Sequence, residues 1–191
     1  MSNDLTPPTV AITSPSPGAT VKGTIPVAPS ASDNVGVVGV QFKLDGANLG
    51  AEVTVSPYSV SWDTATAADG AHSLSAVARD AAGNTTTSSA VTVTVDNGTP
   101  AVGITAPAAG ATVSGTTTVS AIASDTVGVV GVQFKLDGAD LGAEDTTAPY
   151  AVSWDTTTAA SGAHTLSAVA RDAAGNTTAS APVTVTTGPV S

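Results

Sequence analysis

The side chains able to do chemistry in this sequence are few, and they recur. Asp33 and the run Asp80-Ala81-Ala82-Gly83-Asn84 put oxygen donors into turn-rich segments. Asp125, Asp172 and Asn176 repeat the set, and Asp96 lies between the two. A calcium ion takes six to eight oxygens from carboxylates, amides, carbonyls and water. Asp33, Asp80, Asn84, Asp96, Asp125, Asp172 and Asn176 are therefore the candidate metal ligands, with calcium the matching cofactor. The same residue types also suit tight turns, because Asp bonds its own backbone and Gly and Asn accept positive φ. There is no D-x-D-x-D loop, so both readings stand at this point.

Other reactive groups lead away from catalysis. His72 and His164 are each the only histidine of their half, each opens a strand, and neither has a patterned partner, so a zinc site would lack its remaining ligands. No G-x-S-x-G, H-E-x-x-H or G-x-x-x-x-G-K string occurs. A hydrolase with paired carboxylates would require two duplicated active sites, since the acids recur in both halves. The expectation is a non-enzyme with no catalytic residues. Tyr58 and Trp62 could stack on a sugar ring, but they fall on the inward positions of a strand and are read as core.

The totals narrow the partners. Five basic against 15 acidic residues give a formal net charge of −10, with no Lys/Arg cluster to neutralise phosphates, which excludes nucleic-acid binding and disfavours anionic membrane surfaces. Cysteine is absent, which excludes disulfides and thiolate chemistry. No run approaches the ~18 apolar residues of a membrane span. The opening Met1-Ser2-Asn3-Asp4-Leu5 has neither a basic nor an apolar signal region, so the chain is expected to be an excised segment of a longer exported protein.

These residues are positioned by a repeat. Phe42, Tyr58, Trp62, His72 and Arg79 recur as Phe134, Tyr150, Trp154, His164 and Arg171, each 92 positions on. A unit of this length can bury its own core, unlike the repeats of a solenoid. Two domains are expected, 6–97 and 98–189, joined by the short segment Asp96-Asn97-Gly98-Thr99-Pro100. Thr, Val and Gly dominate, and apolar residues alternate with polar ones. Strands are expected around Val10–Ile12, 24–32, 38–44, 48–54, 58–62, 72–78 and 91–95, with Asp45-Gly46 as a hairpin turn. The fold class is all-β, as two tandem seven-stranded immunoglobulin-like β-sandwiches arranged end to end. In such a sandwich the loop after the second strand and the loop before the last share one end, gathering Asp33, Asp80 and Asn84. The corresponding end of the second copy receives the linker, adding Asp96 to Asp125 and Asp172.

The string Asp33-Asn34-Val35-Gly36-Val37, then Val40-Gln41-Phe42, Asp45-Gly46, Pro57-Tyr58, Trp62-Asp63-Thr64, Gly70-Ala71-His72 and Ala78-Arg79-Asp80-Ala81-Ala82-Gly83-Asn84 resembles the bacterial immunoglobulin-like domain family, twice over. The resemblance implies tandem modules of secreted bacterial hydrolases, adhesins and surface proteins, and so an extracellular or cell-surface setting. It brings no catalytic residues. The function expected is a non-catalytic structural or spacer module, a rigid stalk or filament segment. Its partners would be neighbouring domains of the parent chain or copies of itself. The alternative is a binding module, for calcium-dependent adhesion or for attachment to a glycan or cell-wall polymer.

Overall fold

The computed structural model describes residues 4–188. Met1 to Asn3, part of the start discussed above, and Pro189, the expected end of the second domain, lie outside the described residues. The chain divides into two compact units between Asn97 and Gly98. Each is an all-β sandwich with a single one-turn 3₁₀ segment, Thr64–Thr66 or Thr156–Thr158. No helix among the described residues is long and apolar enough to cross a membrane.

The first unit holds β1 (Thr9–Ser14), β2 (Thr20–Val21), β3 (Thr24–Ser32), β4 (Val37–Leu44), β5 (Ala47–Asn48), β6 (Val60–Asp63), β7 (Gly70–Asp80), β8 (Thr85–Thr87) and β9 (Val91–Val95). The second repeats them as β10 (Ala101–Ala106), β11 (Thr112–Val113), β12 (Thr116–Ser124), β13 (Val129–Leu136), β14 (Ala139–Asp140), β15 (Ala151–Asp155), β16 (Gly162–Asp172), β17 (Thr177–Ala179) and β18 (Val183–Thr187). One sheet of the first unit has the order β1-β3-β6; the other runs β2-β9-β7-β4-β5, with β8 also paired to β7.

Nine strands replace the expected seven because the chain changes partners. After β1 it crosses to the other sheet, where β2 pairs parallel with the last strand, Thr20 with Thr94 and Val21 with Val95. The eleven-residue β7 pairs with β9 over Gly70–Leu74 and with the short β8 over Val77–Arg79. Ser88 fills the change-over: its amide donates to the Ala76 carbonyl at 2.8 Å, and its hydroxyl accepts from the Ala76 amide at 3.0 Å. The expected strand over 48–54 shrinks to two residues, because Gly50 turns the chain at φ +69 and leaves only an isolated bridge between Val53 and Val40.

Alternation places the core. In β7, Leu74, Ala76, Ala78 and Asp80 are buried between partly exposed neighbours, and β9 buries Val91, Val93 and Val95. Trp62 is 1% exposed, and Phe42 and Val40 are fully buried against it in one cluster. The small Ala76 and Ala78 let the facing sheet approach closely enough for one Trp and one Phe to fill the space. Two further details were not visible in the alternation. A bulge between Val37 and Gly39 skips Val38, so Val37 rather than Val38 packs on the core. Pro26 and Pro29 are tolerated in β3 because its first half pairs with β6 and its second half with β1, leaving one side free in each half.

Each aromatic of this kind buries about 150–250 Å². Trp62→Ala and Trp154→Ala are each expected to destabilise their own domain by about 3–5 kcal/mol. Denaturant titration of the two variants checks this: one transition should shift while the other keeps its midpoint.

Candidate functional site

Three segments meet at one end of the first domain: the chain before β1, the β3–β4 turn and the β7–β8 turn. Asp33 closes the β3–β4 turn by accepting from the amides of Val35 and Gly36 on Oδ2, both at 2.9 Å. Asp80 ends β7 and is 1% exposed. Its Oδ1 accepts from the Asn84 amide at 2.8 Å and its Oδ2 from Asn84 Nδ2 at 2.7 Å. Burial pushes the Asp80 carboxyl upward, but the Asn84 side chain and the amides of Asn84, Gly83 and Ala82 outweigh it and hold the group below the ordinary carboxylate value. Asn84 Nδ2 also donates to the Asp4 carbonyl at 3.0 Å, which ties the leading segment to this turn.

The result brings three acids together. One carboxylate oxygen from each of Asp4, Asp33 and Asp80 lies within 4.8 Å of the others. Asp33 Oδ1 is shielded from solvent and accepts no hydrogen bond. Asp4 is not among the ligands expected from the sequence, where it figures only in the opening segment that lacks signal features. The signal was there, because Asp4 stands 92 positions before Asp96, as Asp33 and Asp80 stand before Asp125 and Asp172.

The second domain builds the same turns. Asp125 Oδ2 accepts from the amides of Val127 and Gly128 at 2.8 and 3.0 Å, and Asp172 Oδ1 from the Asn176 amide at 2.7 Å. Asp172 is fully buried, yet its Oδ2 has no hydrogen-bond donor. Asp96 is buried just beyond β9, its amide donating to the Val21 carbonyl at 3.0 Å. Within the first domain it stands at the opposite end from Asp33 and Asp80, since Val95 pairs with Gly70 at the start of β7 and Asp80 ends that strand.

At that opposite end, the histidines acquire a partner that the strand pattern did not reveal. His72 Nδ1 meets Asp45 Oδ2 at 2.7 Å, and His72 Nε2 meets the Ala68 carbonyl at 2.8 Å. Asp45 Oδ1 accepts from the Ser73 amide at 2.8 Å, and the Trp62 ring stands edge-on to the imidazole with centroids 6.2 Å apart. His164 repeats this with Asp137 at 2.6 Å, Ala160 at 2.8 Å and Trp154 at 5.9 Å. Both ring nitrogens face acceptors, so only the imidazolium satisfies the two bonds, and neither nitrogen is left to accept a proton from a substrate. The Asp45 carboxylate and then the Ala68 carbonyl raise the His72 pKa; for His164 the Ala160 carbonyl leads and Asp137 follows. The hydrogen bond from His72 holds Asp45 low. Further along, the Arg79 guanidinium forks onto Glu52, both contacts at 3.1 Å, with the Glu52 carboxylate lying over Gly39 where a Cβ would overlap it.

The Bacterial Ig domain model matches residues 8–76 and 100–168, and a Bacterial Ig-like domain (group 3) model matches 56–132. Among solved structures, the chain is similar to the fibronectin(III)-like modules of Clostridium thermocellum CbhA, at 29% identity over 94% of this chain and 93% of that one, with a TM-score of 0.58. It shares its fold with part of a 1.5-MDa bacterial ice-binding adhesin, at 18% identity over 96% of this chain and 66% of the other, TM-score 0.52. The FN1-FN3 domains of chicken CNTN1 share the fold at 14% identity over 96% of this chain and 66% of the other, TM-score 0.54. No curated protein matches the chain.

The His–Asp pair carries a pH signature. The raised histidine contributes stability that is complete below its ordinary value of 6.5 and is lost as pH rises through the raised value. The lowered Asp45 contributes above 3.8 and loses its contribution as pH falls through the lowered value. With Asp45 half exposed, each pair contributes about 1 kcal/mol, or about 4–8 °C for a domain of this size. The wild-type melting temperature should therefore fall as pH rises above the ordinary histidine value of 6.5. The Asp45→Asn/Asp137→Asn chain, whose Asn keeps the turn's positive φ, should lose most of that difference in a calorimetric series.

Proposed function

We propose, on the premise that this chain belongs to the bacterial Ig domain family, that its two domains serve as a non-catalytic extracellular structural module, a spacer or stalk segment of a bacterial secreted or surface protein. The observation that carries the reading is that the histidines, the arginines and one oxygen of each turn aspartate are committed to structure. Both histidines are held at both nitrogens, Arg79 and Arg171 are forked onto Glu52 and Glu144, and the turn aspartates bind their own backbone amides. Trp62, Trp154, Phe42, Phe134 and Tyr150 are buried and Tyr58 is half-buried, so no aromatic platform remains for stacking a sugar ring. That weighs against the glycan-binding alternative. Similarity to fibronectin(III)-like modules over nearly the whole of both chains supports modular use.

A spacer must carry load through each domain by itself. Single-molecule pulling on the chain should give two separate unfolding events of similar size. About 92 residues at ~3.5 Å each, less a folded length of ~40 Å, predicts a contour increment of roughly 28 nm per event. One large event would deny two independent load-bearing units. Turnover of a polysaccharide, ester or peptide substrate that vanished on replacing His72 and His164 would overturn the non-catalytic reading.

A further inference from the structure

We propose that Asn97–Gly98 is a self-modification site that the fold holds shut. Its asparagine persists while the end of β9 is fastened and converts to aspartate and isoaspartate when that end opens. This is the single Asn-Gly step of the sequence, since Asn34, Asn48, Asn84 and Asn176 are followed by Val, Leu, Thr and Thr. An asparagine side chain can be attacked by the amide nitrogen of the next residue. A following glycine, with no Cβ, lets that nitrogen reach the side-chain carbonyl most freely.

The reaction needs only water. The Gly98 nitrogen bonds to Asn97 Cγ, the Cγ–Nδ2 bond breaks, and ammonia leaves with the proton that the Gly98 amide gives up. Water then opens the cyclic imide, at Cγ to give aspartate or at the main-chain carbonyl to give isoaspartate. The second outcome threads the main chain through Cβ.

In the folded first domain every polar group of Asn97 that could move towards this reaction is engaged. Around the parallel pairing of β2 with β9, the Gly18 amide donates to the Thr92 carbonyl at 2.7 Å, the Thr94 amide to Ala19 at 2.9 Å and the Asp96 amide to Val21 at 3.0 Å. The Asn97 side chain supplies the next rung, its Oδ1 accepting from the Gly23 amide at 3.2 Å. The same oxygen accepts from the Thr64 hydroxyl at 2.8 Å, and Nδ2 donates to the Thr64 carbonyl at 3.1 Å. The Asn97 amide donates to Asp69 Oδ1 at 2.7 Å. Thr64 is fully buried, so the side chain is anchored to the body of the domain. Bonded through both Oδ1 and Nδ2, it cannot turn Cγ onto the Gly98 nitrogen without breaking these contacts, and the reaction draws on the opened state.

The change runs one way. Aspartate puts an oxygen where Nδ2 faced the Thr64 carbonyl, and it adds a negative charge beside Asp69 and Asp96, so the clasp does not re-form. The second copy has no equivalent, because the position 92 residues on is Pro189.

Mass spectrometry of the full chain, held at mildly alkaline pH in buffer and in urea, tests this, with enzymatic methylation of isoaspartate as a second readout. In urea, Asn97 should be modified ahead of Asn34, Asn48, Asn84 and Asn176. In buffer its rate should fall at least about tenfold, because modification follows the population of the open form. Asp69→Ala, at an exposed position, removes one tie and should raise the rate in buffer at least about threefold, with the circular dichroism spectrum unchanged. Equal rates in buffer and urea, another of these asparagines reacting first in urea, or a rate in buffer that Asp69→Ala leaves unchanged overturns the proposal. The spacer reading is decided separately, by the pulling experiment.

Discussion

The structure hangs on one pairing, the antiparallel ladder between β4 and β7. Val40 faces Ala78, Phe42 faces Ala76 and Leu44 faces Leu74. The same ladder, read at its two ends and its middle, sets three polar clusters of the domain. At one end Val37 pairs with Asp80, which draws the Asp33 turn up to the Asp80–Asn84 turn. At the other, Leu44 pairs with Leu74, so Asp45 at the hairpin tip reaches His72 and Ser73. Between them Gly39 pairs with Arg79 and leaves room for the Glu52 carboxylate. A slip of one residue would turn Phe42 and Val40 to solvent and separate all three clusters at once.

That dependence explains how so plain a composition yields a defined fold. With aromatics at 3% of the chain, each domain relies on one Trp and one Phe packed against valines and small alanines. The polar clusters add specificity at the rims, where the apolar core ends. They serve as fasteners, which fits the structural role proposed above.

Much of this was legible in the sequence because it follows from periods. The 92-residue repeat, the alternation in β7 and β9, the Asp45-Gly46 hairpin and the burial of Trp62 all stand in the structure. What escaped depends on contacts between distant segments. The Val37–Gly39 bulge is a one-residue irregularity that shifts the core position from Val38 to Val37, and nothing local marks it. Two-residue strands such as β2 and β5 are too short to show a period. His72 lies 27 residues from Asp45, so only the folded ladder joins them, and Asp4 precedes the first strand altogether.

The central claim is that the β4–β7 ladder is the last part of each domain to give way. Native-state hydrogen exchange followed residue by residue measures this directly. The amides of Gln41, Lys43, Ser75 and Val77, which lie between β4 and β7, should exchange only with global unfolding, while those of β2, β5 and β8 exchange earlier through local opening. Exchange of the β4 and β7 amides ahead of those in β1 and β3 would contradict the account.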